Sequence, residues 1–543
     1  MITIQLAWVF LAAALGPATT FDVVEVSGRI SAEAIQAHVE VLAGDAFEGR
    51  APGTPGGEKA AAYIEGRLRA AGLAPILPRD SFRQPVHLHQ SFPRSETVLE
   101  LRLFGEGSPM VLGEDYLLHA WSPSSIIPRP VPVIFVGHGI VAPEFDHDDY
   151  GETDCRGAVV VYLAGRPPCL ADRQCAVFSS PESKRRTAMA RGVVGTILLP
   201  TVRGDAMAAW EGLQRIFALP GLELPRGVPQ IPSFILHPGH TKGLFDEALF
   251  DWEAVQTMAS DGTLRPFHLP LTLHFKGRFS HRDFASPNLL GLIKGSDAQL
   301  AREVVVVSAH YDHFGISPLE MDDRIYNGAV DNALGVAGVL EIARVLAELP
   351  RSPQRSILFL LTTAEEEGLL GARHFLADPP MPTSRMVAAV NVDGLAFLDT
   401  FDDVIAIGAE YSNLEDHLEK AVAPLKLHLG EASRELWLQE GFTRSDQLAF
   451  AEAGVPSVMI SEGFDWHHVD PDEAAVMVLE WMMTRYHTPQ DDVDQPMDFD
   501  AARLHARAVL ALVLALADHP EAPQWTPGTR YAYERAVAQA RRR

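Results

Sequence analysis

Hydrophobic positions divide the chain into stretches with different periods. Residues 31–73 follow a helical pattern, which a Gly-rich stretch at residues 49–57 interrupts. From about residue 98 to residue 275, short β-type runs such as residues 131–136 and 158–163 alternate with prolines. The middle of the chain is therefore predicted to form a separate β-rich domain.

After Pro287 the pattern changes to alternating strands and helices. The predicted strands are residues 304–307, 357–361, 387–392, 404–407 and 455–460, and the predicted helices are residues 333–346 and 501–517. This alternation predicts an α/β fold, a three-layer sandwich with a mixed, largely parallel central sheet. In such sheets ligands bind beyond the carboxyl ends of the strands, so the chemistry is expected there.

The same patterns set the predicted domain boundaries. Residues 21–115 would form the N-terminal part of the core domain, residues 116–275 the inserted β-rich domain, and residues 276–543 the rest of the core. Residues 1–20 start with an apolar run that meets Gly16, Pro17 and Ala18, although no Lys or Arg precedes it. This pattern is typical of a cleaved signal peptide, and it predicts a secreted or periplasmic protein.

The composition of the chain argues against several classes of protein but does not by itself indicate a function. Lys and Arg number 45 against 71 Asp and Glu, a formal charge of −26, so a basic surface for nucleic acid is not expected. Beyond the first residues, no apolar run reaches the length of a membrane span. Cys155, Cys169 and Cys175 are too few for a disulfide framework; a Cys169–Cys175 bridge and unbridged thiols both remain open, as does the oligomeric state.

Acidic residues and histidines follow the predicted strands. The strand ends and adjoining loops carry His310-Tyr311-Asp312, Asp331-Asn332, Glu365-Glu366-Glu367, Asp393 and, near the end of the core, His487. Carboxylates crowded at one sheet edge repel each other unless a cation keeps them ionised. Mixed nitrogen and oxygen ligands suit zinc better than magnesium or calcium. A carboxylate shared by two such ions would activate water and polarise a carbonyl.

These motifs, in this order, resemble those of the co-catalytic zinc aminopeptidases and glutamate carboxypeptidases of metallopeptidase family twenty-eight. The resemblance covers about residues 286–517 and implies two zinc ions. It implies these roles: His310 and Asp393 on one zinc, Glu366 and His487 on the other, Asp331 bridging both, Glu365 as general base, and Asp312 orienting His310 through its second ring nitrogen. Glu367 is interpreted as a solvated neighbour.

Residues 131–163, with the motifs at 137–143 and 154–157, resemble a protease-associated domain, which implies a role in shielding or shaping the cleft. Two departures from the family stand out. Gln447 occupies a position where many relatives have His, and residues 461–483 look like an insertion that could cover the cleft.

The sequence therefore predicts a di-zinc exopeptidase acting on peptides, with an aminopeptidase favoured. A carboxypeptidase or dipeptidase remains an alternative, with Arg444 or Arg485 as the carboxylate anchor. Less favoured are a non-catalytic receptor on the same scaffold and a single-zinc cyclase acting on N-terminal glutamine. Tyr486 could stabilise an oxyanion or simply pack beside His487. Other polar residues are interpreted as structural or solvent-facing: His313, Asp322, Asp323, His467, His468 and Asp491.

Overall fold

The computed structural model describes residues 21–120, 126–170, 175–200, 206–225, 231–319, 322–430 and 441–540. The predicted signal peptide lies outside these residues. Within them, no helix is both long and apolar enough to cross a membrane.

A nine-stranded mixed sheet forms the centre of the molecule. In spatial order its strands are Gly221–Glu223, Arg83–Pro93, Phe279–Ile293, Ser356–Thr362, Val304–His310, Met386–Asn391, Ser457–Glu462, Asp403–Ile407 and His428–Leu429. The four consecutive parallel strands are labelled β1 (Val304–His310), β2 (Ser356–Thr362), β3 (Met386–Asn391) and β4 (Ser457–Glu462). The sheet edges are mostly antiparallel, so the parallel part is confined to the centre.

These central strands are continuous apolar runs because both of their faces are covered. Every residue of β1 and β2 is buried. Val305 and Val307 point to the layer of α1 (Gly335–Ala347) and α4 (Phe499–Asp518). Val304 and Val306 point to the opposite layer, with α2 (Leu370–Ala377) and α3 (Gln447–Glu452). The predicted α/β three-layer class is confirmed.

Further helices surround the sheets. They are Val23–Ser27, Ala32–Leu42, Pro55–Ala70, Ala176–Ser179, Pro181–Ala190, Ala206–Phe217, Pro238–Thr241, Trp252–Asp261, Leu414–Val422, Pro471–Thr484 and Arg530–Ala540. Several begin at an Asp, Ser or Thr cap; Thr54, for example, accepts a hydrogen bond from the Gly57 N–H, and Pro55 follows at the first helical position. The insertion predicted at residues 461–483 contains most of Pro471–Thr484.

A second sheet of eight strands lies in the middle of the chain. Its spatial order is Pro109–Met110, Val98–Leu103, Phe267–Lys276, Ile126–Phe135, Val159–Leu163, Gly195–Leu199, Ser233–Leu236 and Tyr116–Ala120. Two short pairs complete the strands: Gly315–Ile316 with Ile325–Tyr326, and Val141–Ala142 with His147–Asp148. The domain boundaries remain a prediction. Cys169 carries an exposed free thiol, so the Cys169–Cys175 bridge is not formed.

Candidate metal centre

The predicted ligands come together at the carboxyl edge of the central strands. His310 ends β1, the Glu365–Glu366 pair follows β2, and Asp393 follows β3. Asp331 lies in the turn Ala329–Leu334 before α1, whereas His487 comes from the segment after the helix Pro471–Thr484. Parallel strands deliver their following loops to one edge, which explains how side chains distant in sequence meet there.

Asp331 lies between the two imidazoles. Its Oδ1 is 3.3 Å from Nε2 of His310, and its Oδ2 is 3.1 Å from Nε2 of His487. On one side, Oδ1 of Asp393 is 3.1 Å from Nε2 of His310. On the other, Oε2 of Glu366 is 3.4 Å from Nε2 of His487. The side chains thus form two groups that share one carboxylate, one oxygen to each group.

The backbone around Asp331 is held by neighbouring side chains. The peptide bond between Asp331 and Asn332 is cis. The Asn332 side chain donates to the Val392 carbonyl at 3.0 Å and accepts from the Gly394 N–H at 2.8 Å, on either side of Asp393. Asn332 therefore couples the Asp331 turn to the loop that carries another predicted ligand.

Asp491 fixes the same turn from the other side. Its carboxylate accepts hydrogen bonds from the N–H groups of Val330 at 2.9 Å and Asp331 at 3.0 Å, and from the Gln495 amide at 2.6 Å. The side chain is fully buried. From the sequence alone Asp491 has no assigned role at the site, because only the tertiary fold brings it beneath Asp331.

Asp312 contacts the site differently from the sequence-based expectation. The second ring nitrogen of His310 lies 3.2 Å from the backbone carbonyl of Asp312, whereas the Asp312 carboxylate is 3.9 Å away. That carboxylate instead accepts the Glu365 N–H at 3.2 Å. Asp312 thus orients His310 through its main chain, and its carboxylate positions the Glu365 backbone. Burial raises the pKa of Asp312 to about 7.

His313 is a further residue that the sequence reasoning missed. It is 1% exposed, and its Nδ1 lies 2.5 Å from Oε1 of Glu366. Its ring lies edge-on to that of His487 at 5.9 Å. His313 therefore orients the carboxylate whose other oxygen faces His487. Its closeness to the His310 motif was the one available signal.

Buried charges at this edge perturb one another strongly. Burial lowers the pKa of His310, but Glu365 and other carboxylates outweigh it, so that pKa lies well above its usual value. Similarly, Glu366 and Asp331 raise the pKa of His487 to about 10 against the effect of burial. Burial raises the pKa of Glu365 well above its usual value.

The arrangement fits metal ions. Two groups of three side chains each bring their possible ligand atoms within 4.8 Å of one another. One group is His310, Asp331 and Glu366, and the other is His310, Glu365 and Asp393. Oε1 of Glu365 is buried and has no hydrogen-bond partner among the described residues. Ring nitrogens and carboxylate oxygens are ligands that zinc prefers, and metal binding would displace the imidazole protons. The donor set is therefore compatible with zinc.

The structure corrects the interpretation of Glu367 and shows where Gln447 and Tyr486 lie. Glu367 is not a solvated neighbour: it is half-buried, its carboxylate accepts the Leu222 N–H at 3.4 Å, and burial raises its pKa to about 8. Gln447 is buried and accepts a hydrogen bond from Asn391 at 2.9 Å, which gives it a structural role. The Tyr486 ring stacks on His487 with centroids 3.7 Å apart.

The remaining polar residues considered in the sequence lie around the site or away from it. His467 and His468 pair with Asp402 and Asp399 on an exposed part of the predicted insertion. Asp322 and Asp323 are exposed. Arg485 donates to the Gln490 carbonyl at 2.8 Å, whereas Arg444 lies near enough to Tyr486 for its charge to act on the phenol.

Comparison with known proteins places these residues in a family context. Residues 288–513 match the sequence profile of Peptidase family M28. Aminopeptidase YwaD of Bacillus subtilis is 28% identical over 220 residues, 38% of this chain and 40% of that protein. Carboxypeptidase Q of Mus musculus is 23% identical over 366 residues, 64% of this chain and 66% of that protein. The chain thus spans less than two thirds of the length of either relative.

A solved structure shares the fold. The aminopeptidase from Aneurinibacillus sp. strain AM-1 superposes with a TM-score of 0.54 at 19% identity, over 92% of this chain and 97% of that one. All the predicted metal and catalytic residues, from His310 to His487, fall inside the segment that the family profile matches. The similarity to peptidase family M28 therefore lies in residues 288–513, the segment that carries the candidate metal centre.

Proposed function

We propose that the chain is a zinc-dependent exopeptidase that removes the N-terminal residue of peptides. One observation carries the proposal: the two oxygens of Asp331 face two different imidazoles, at 3.3 Å from His310 and 3.1 Å from His487. That geometry suits a carboxylate shared by two cations. The match of residues 288–513 to the profile of a peptidase family and the similarity to an aminopeptidase support it.

Each side chain then has a defined task. His310 and Asp393 would hold one zinc ion, His487 and Glu366 the other, and Asp331 both. Two zinc ions bound here would supply an activated water molecule and polarise the scissile carbonyl.

Glu365 is proposed as the general base. Its carboxylate is 6% exposed, Oε2 lies 4.0 Å from Nε2 of His310, and Oε1 has no hydrogen-bond partner among the described residues. A carboxylate that lies beside the metal ligands and does not itself bind metal can take a proton from water and deliver it to the leaving amine. The Asp312 hydrogen bond to its N–H fixes the backbone that carries it.

Charge around the centre favours an amino terminus over a carboxylate. Beyond the proposed ligands, the site region holds four further carboxylates: Asp312, Glu365, Asp446 and Asp491. Asp446 accepts the Thr362 hydroxyl at 2.6 Å and, like Asp312, is fully buried. Arg50 is a buried guanidinium on which the charges of Asp491, Asp331 and Asp312 act. Acidic side chains thus outnumber basic ones around the centre, which supports recognition of the α-ammonium group of a peptide over that of a carboxylate.

A matched pair of variants tests the proposal. Glu365→Gln removes the base but keeps the shape, so zinc content should stay at the wild-type level while kcat falls about 10²–10⁴-fold. Glu367→Gln is the control, because this neighbour contacts Leu222 and not the ligands. Its kcat should change little. Wild-type activity in Glu365→Gln would remove Glu365 from the mechanism, and a wild-type protein without zinc would remove the metal centre.

A carboxypeptidase or dipeptidase is the second candidate. The similarity to carboxypeptidase Q extends over 64% of the chain, and the charge of Arg444 acts on Tyr486 beside His487. Dipeptides blocked at either terminus separate the two candidates. An aminopeptidase should hydrolyse C-amidated peptides and reject N-acetylated ones, and a carboxypeptidase should show the reverse preference.

We also propose that the protein is exported and that its β-rich region acts as a protease-associated domain that shapes the cleft. The apolar run before Gly16 supports export to the periplasm or the medium. The contact between Leu222 and Glu367 supports a role of the middle region at the cleft, because it joins the strand Gly221–Glu223 to the loop after β2.

A further inference from the structure

Arg50 is a buried cation that the proposed reaction does not use. Its side chain is 1% exposed and lies in the Gly-rich segment that interrupts the N-terminal helical pattern. Four of its five N–H groups donate to main-chain carbonyls: Nε to Tyr311 at 2.9 Å, Nη1 to Leu42 at 2.9 Å and Asn327 at 2.5 Å, and Nη2 to Gly328 at 2.9 Å. Such saturation fixes the guanidinium in one orientation.

Three of the four acceptors belong to the two segments that carry the imidazole and the shared carboxylate, and the fourth, Leu42, ends the helix Ala32–Leu42. Tyr311 directly follows His310, whereas Gly328 precedes the turn that contains Asp331. One planar group therefore joins two backbone segments whose side chains meet 3.3 Å apart at the site. Displacement of either carbonyl would change that separation.

The segment around Arg50 is itself held tightly. Gly49 has a positive φ of 64°, and a β-carbon there would lie 2.4 Å from the Tyr326 carbonyl oxygen and 2.7 Å from that of Gly315. The Asn327 side chain donates to the Ala43 carbonyl at 2.8 Å. The close backbone approach requires glycine at position 49 and brings Arg50 under the site loops.

Electrostatics alone does not explain a cation at this place. Burial lowers the pKa of Arg50 to about 10, although Asp491, Asp331 and other site carboxylates oppose this effect. The side chain remains charged at neutral pH. A positive charge so close to the ligands repels a metal cation. If charge were its only contribution, removing Arg50 would strengthen metal binding.

We propose that Arg50 is a positioning residue that sets the distance between His310 and Asp331 by cross-linking the main chains behind them. The inference rests on the proposed metal centre for its link to catalysis. It extends that proposal to the N-terminal segment, which lies outside the part of the chain that matches the family profile.

Arg355 provides a matched control. It is also 1% exposed and donates to three carbonyls, those of Leu516, His519 and Pro520, and it pairs with Glu303 at 2.7 Å. It precedes β2, at the sheet edge opposite the site. Arg50→Gln and Arg355→Gln therefore remove equivalent buried guanidinium groups, and both should lower the melting temperature.

Two measurements on the full chain separate positioning from general stability. In chelator competition, Arg50→Gln should bind zinc about 10–100-fold more weakly than wild type, with Arg50→Lys intermediate and Arg355→Gln unchanged. In the metal-free protein, hydrogen exchange at residues 310–316 and 326–334 should accelerate in Arg50→Gln and not in Arg355→Gln.

The outcomes distinguish this inference from the proposed function. Unchanged or tighter zinc binding by Arg50→Gln, or equal exchange in both Gln variants, would overturn the positioning role. Absence of zinc binding in the wild type would instead overturn the metal centre, and the exchange measurement would still decide whether Arg50 holds the two segments.

Discussion

Replacing Asp491 by Asn tests whether support for the Asp331 backbone controls the centre. One Asp491 oxygen accepts from the Val330 N–H and the Gln495 amide, and the other accepts from the Asp331 N–H at 3.0 Å. A carboxamide has a single oxygen, so its NH₂ group must face at least one of these buried donors. The variant keeps the size of the side chain and changes only its charge and hydrogen bonding.

The expected magnitude follows from the lost contact. A hydrogen bond to a charged acceptor contributes about 1.5–3 kcal/mol, so the metal-free Asp491→Asn protein should lose about that much unfolding free energy. Keeping the amide oxygen on the two donors Val330 N–H and Gln495 turns the NH₂ group toward the Asp331 N–H, so zinc affinity should also fall, by about 10–100-fold. This loss corresponds to about 1.4–2.8 kcal/mol of binding free energy.

Urea unfolding of the metal-free protein and zinc competition against a chelator measure the two effects. Asp518→Asn is the control, since its carboxylate accepts the Gln354 N–H at 2.8 Å at the opposite sheet edge. One amide oxygen can replace that single acceptor, so both quantities should stay near wild type. If Asp491→Asn folds and binds zinc as tightly as this control does, the backbone support is irrelevant to the centre.

Three further predictions concern the surroundings of the site. Arg373 on α2 lies 3.0 Å from Glu182 of the β-rich region. A double-mutant cycle of Arg373→Met and Glu182→Gln should therefore give a coupling free energy of about 0.5–1 kcal/mol that shrinks in 1 M salt. A coupling free energy insensitive to salt would contradict an ionic contact. Burial lowers the pKa of His505 from 6.5 to about 4. The neutral, buried imidazole therefore contributes fully to the unfolding free energy above pH 6.5, the pKa in the unfolded chain. About 3 kcal/mol of that free energy is lost as the pH falls toward 4. His505→Gln should flatten this part of the urea-unfolding profile, and an identical profile would refute the assignment. The exposed side chains of His467 and His468 hydrogen-bond to residues away from the proposed ligands, namely Thr400, Asp402 and Asp399. Replacing both histidines by Ala should therefore change kcat/KM by less than about twofold. A larger loss would place the insertion at the cleft.

The sequence predicted the central strands well, and it placed the proposed ligands at one sheet edge as the structure does, because both features depend on local pattern. A strand such as Val304–His310 is buried on both faces, and its mostly apolar run can be recognised in the sequence without knowledge of the partner strands. Histidines and acids placed directly after such runs share one sheet edge by topology alone. Predicted and observed strand ends accordingly differ by a few residues, as for 357–361 and Ser356–Thr362.

Supporting residues were harder to predict because their partners are distant in sequence. Asp491 accepts hydrogen bonds from the N–H groups of Val330 and Asp331, which lie 161 and 160 positions earlier in the chain. Arg50 donates to the carbonyl of Tyr311, which lies 261 positions later. Glu367 was misread because a strand from the β-rich region covers it. The carboxylate of Asp312 was assigned to His310, whereas its backbone carbonyl is the closer partner.

Diffraction at the zinc absorption edge from crystals of the zinc-saturated protein tests the central claim most directly. The anomalous map should contain two peaks about 3.5–4 Å apart, one beside His310 and Asp393 and one beside His487 and Glu366, with Asp331 between them. A single peak, or none, at full zinc saturation would contradict a shared carboxylate.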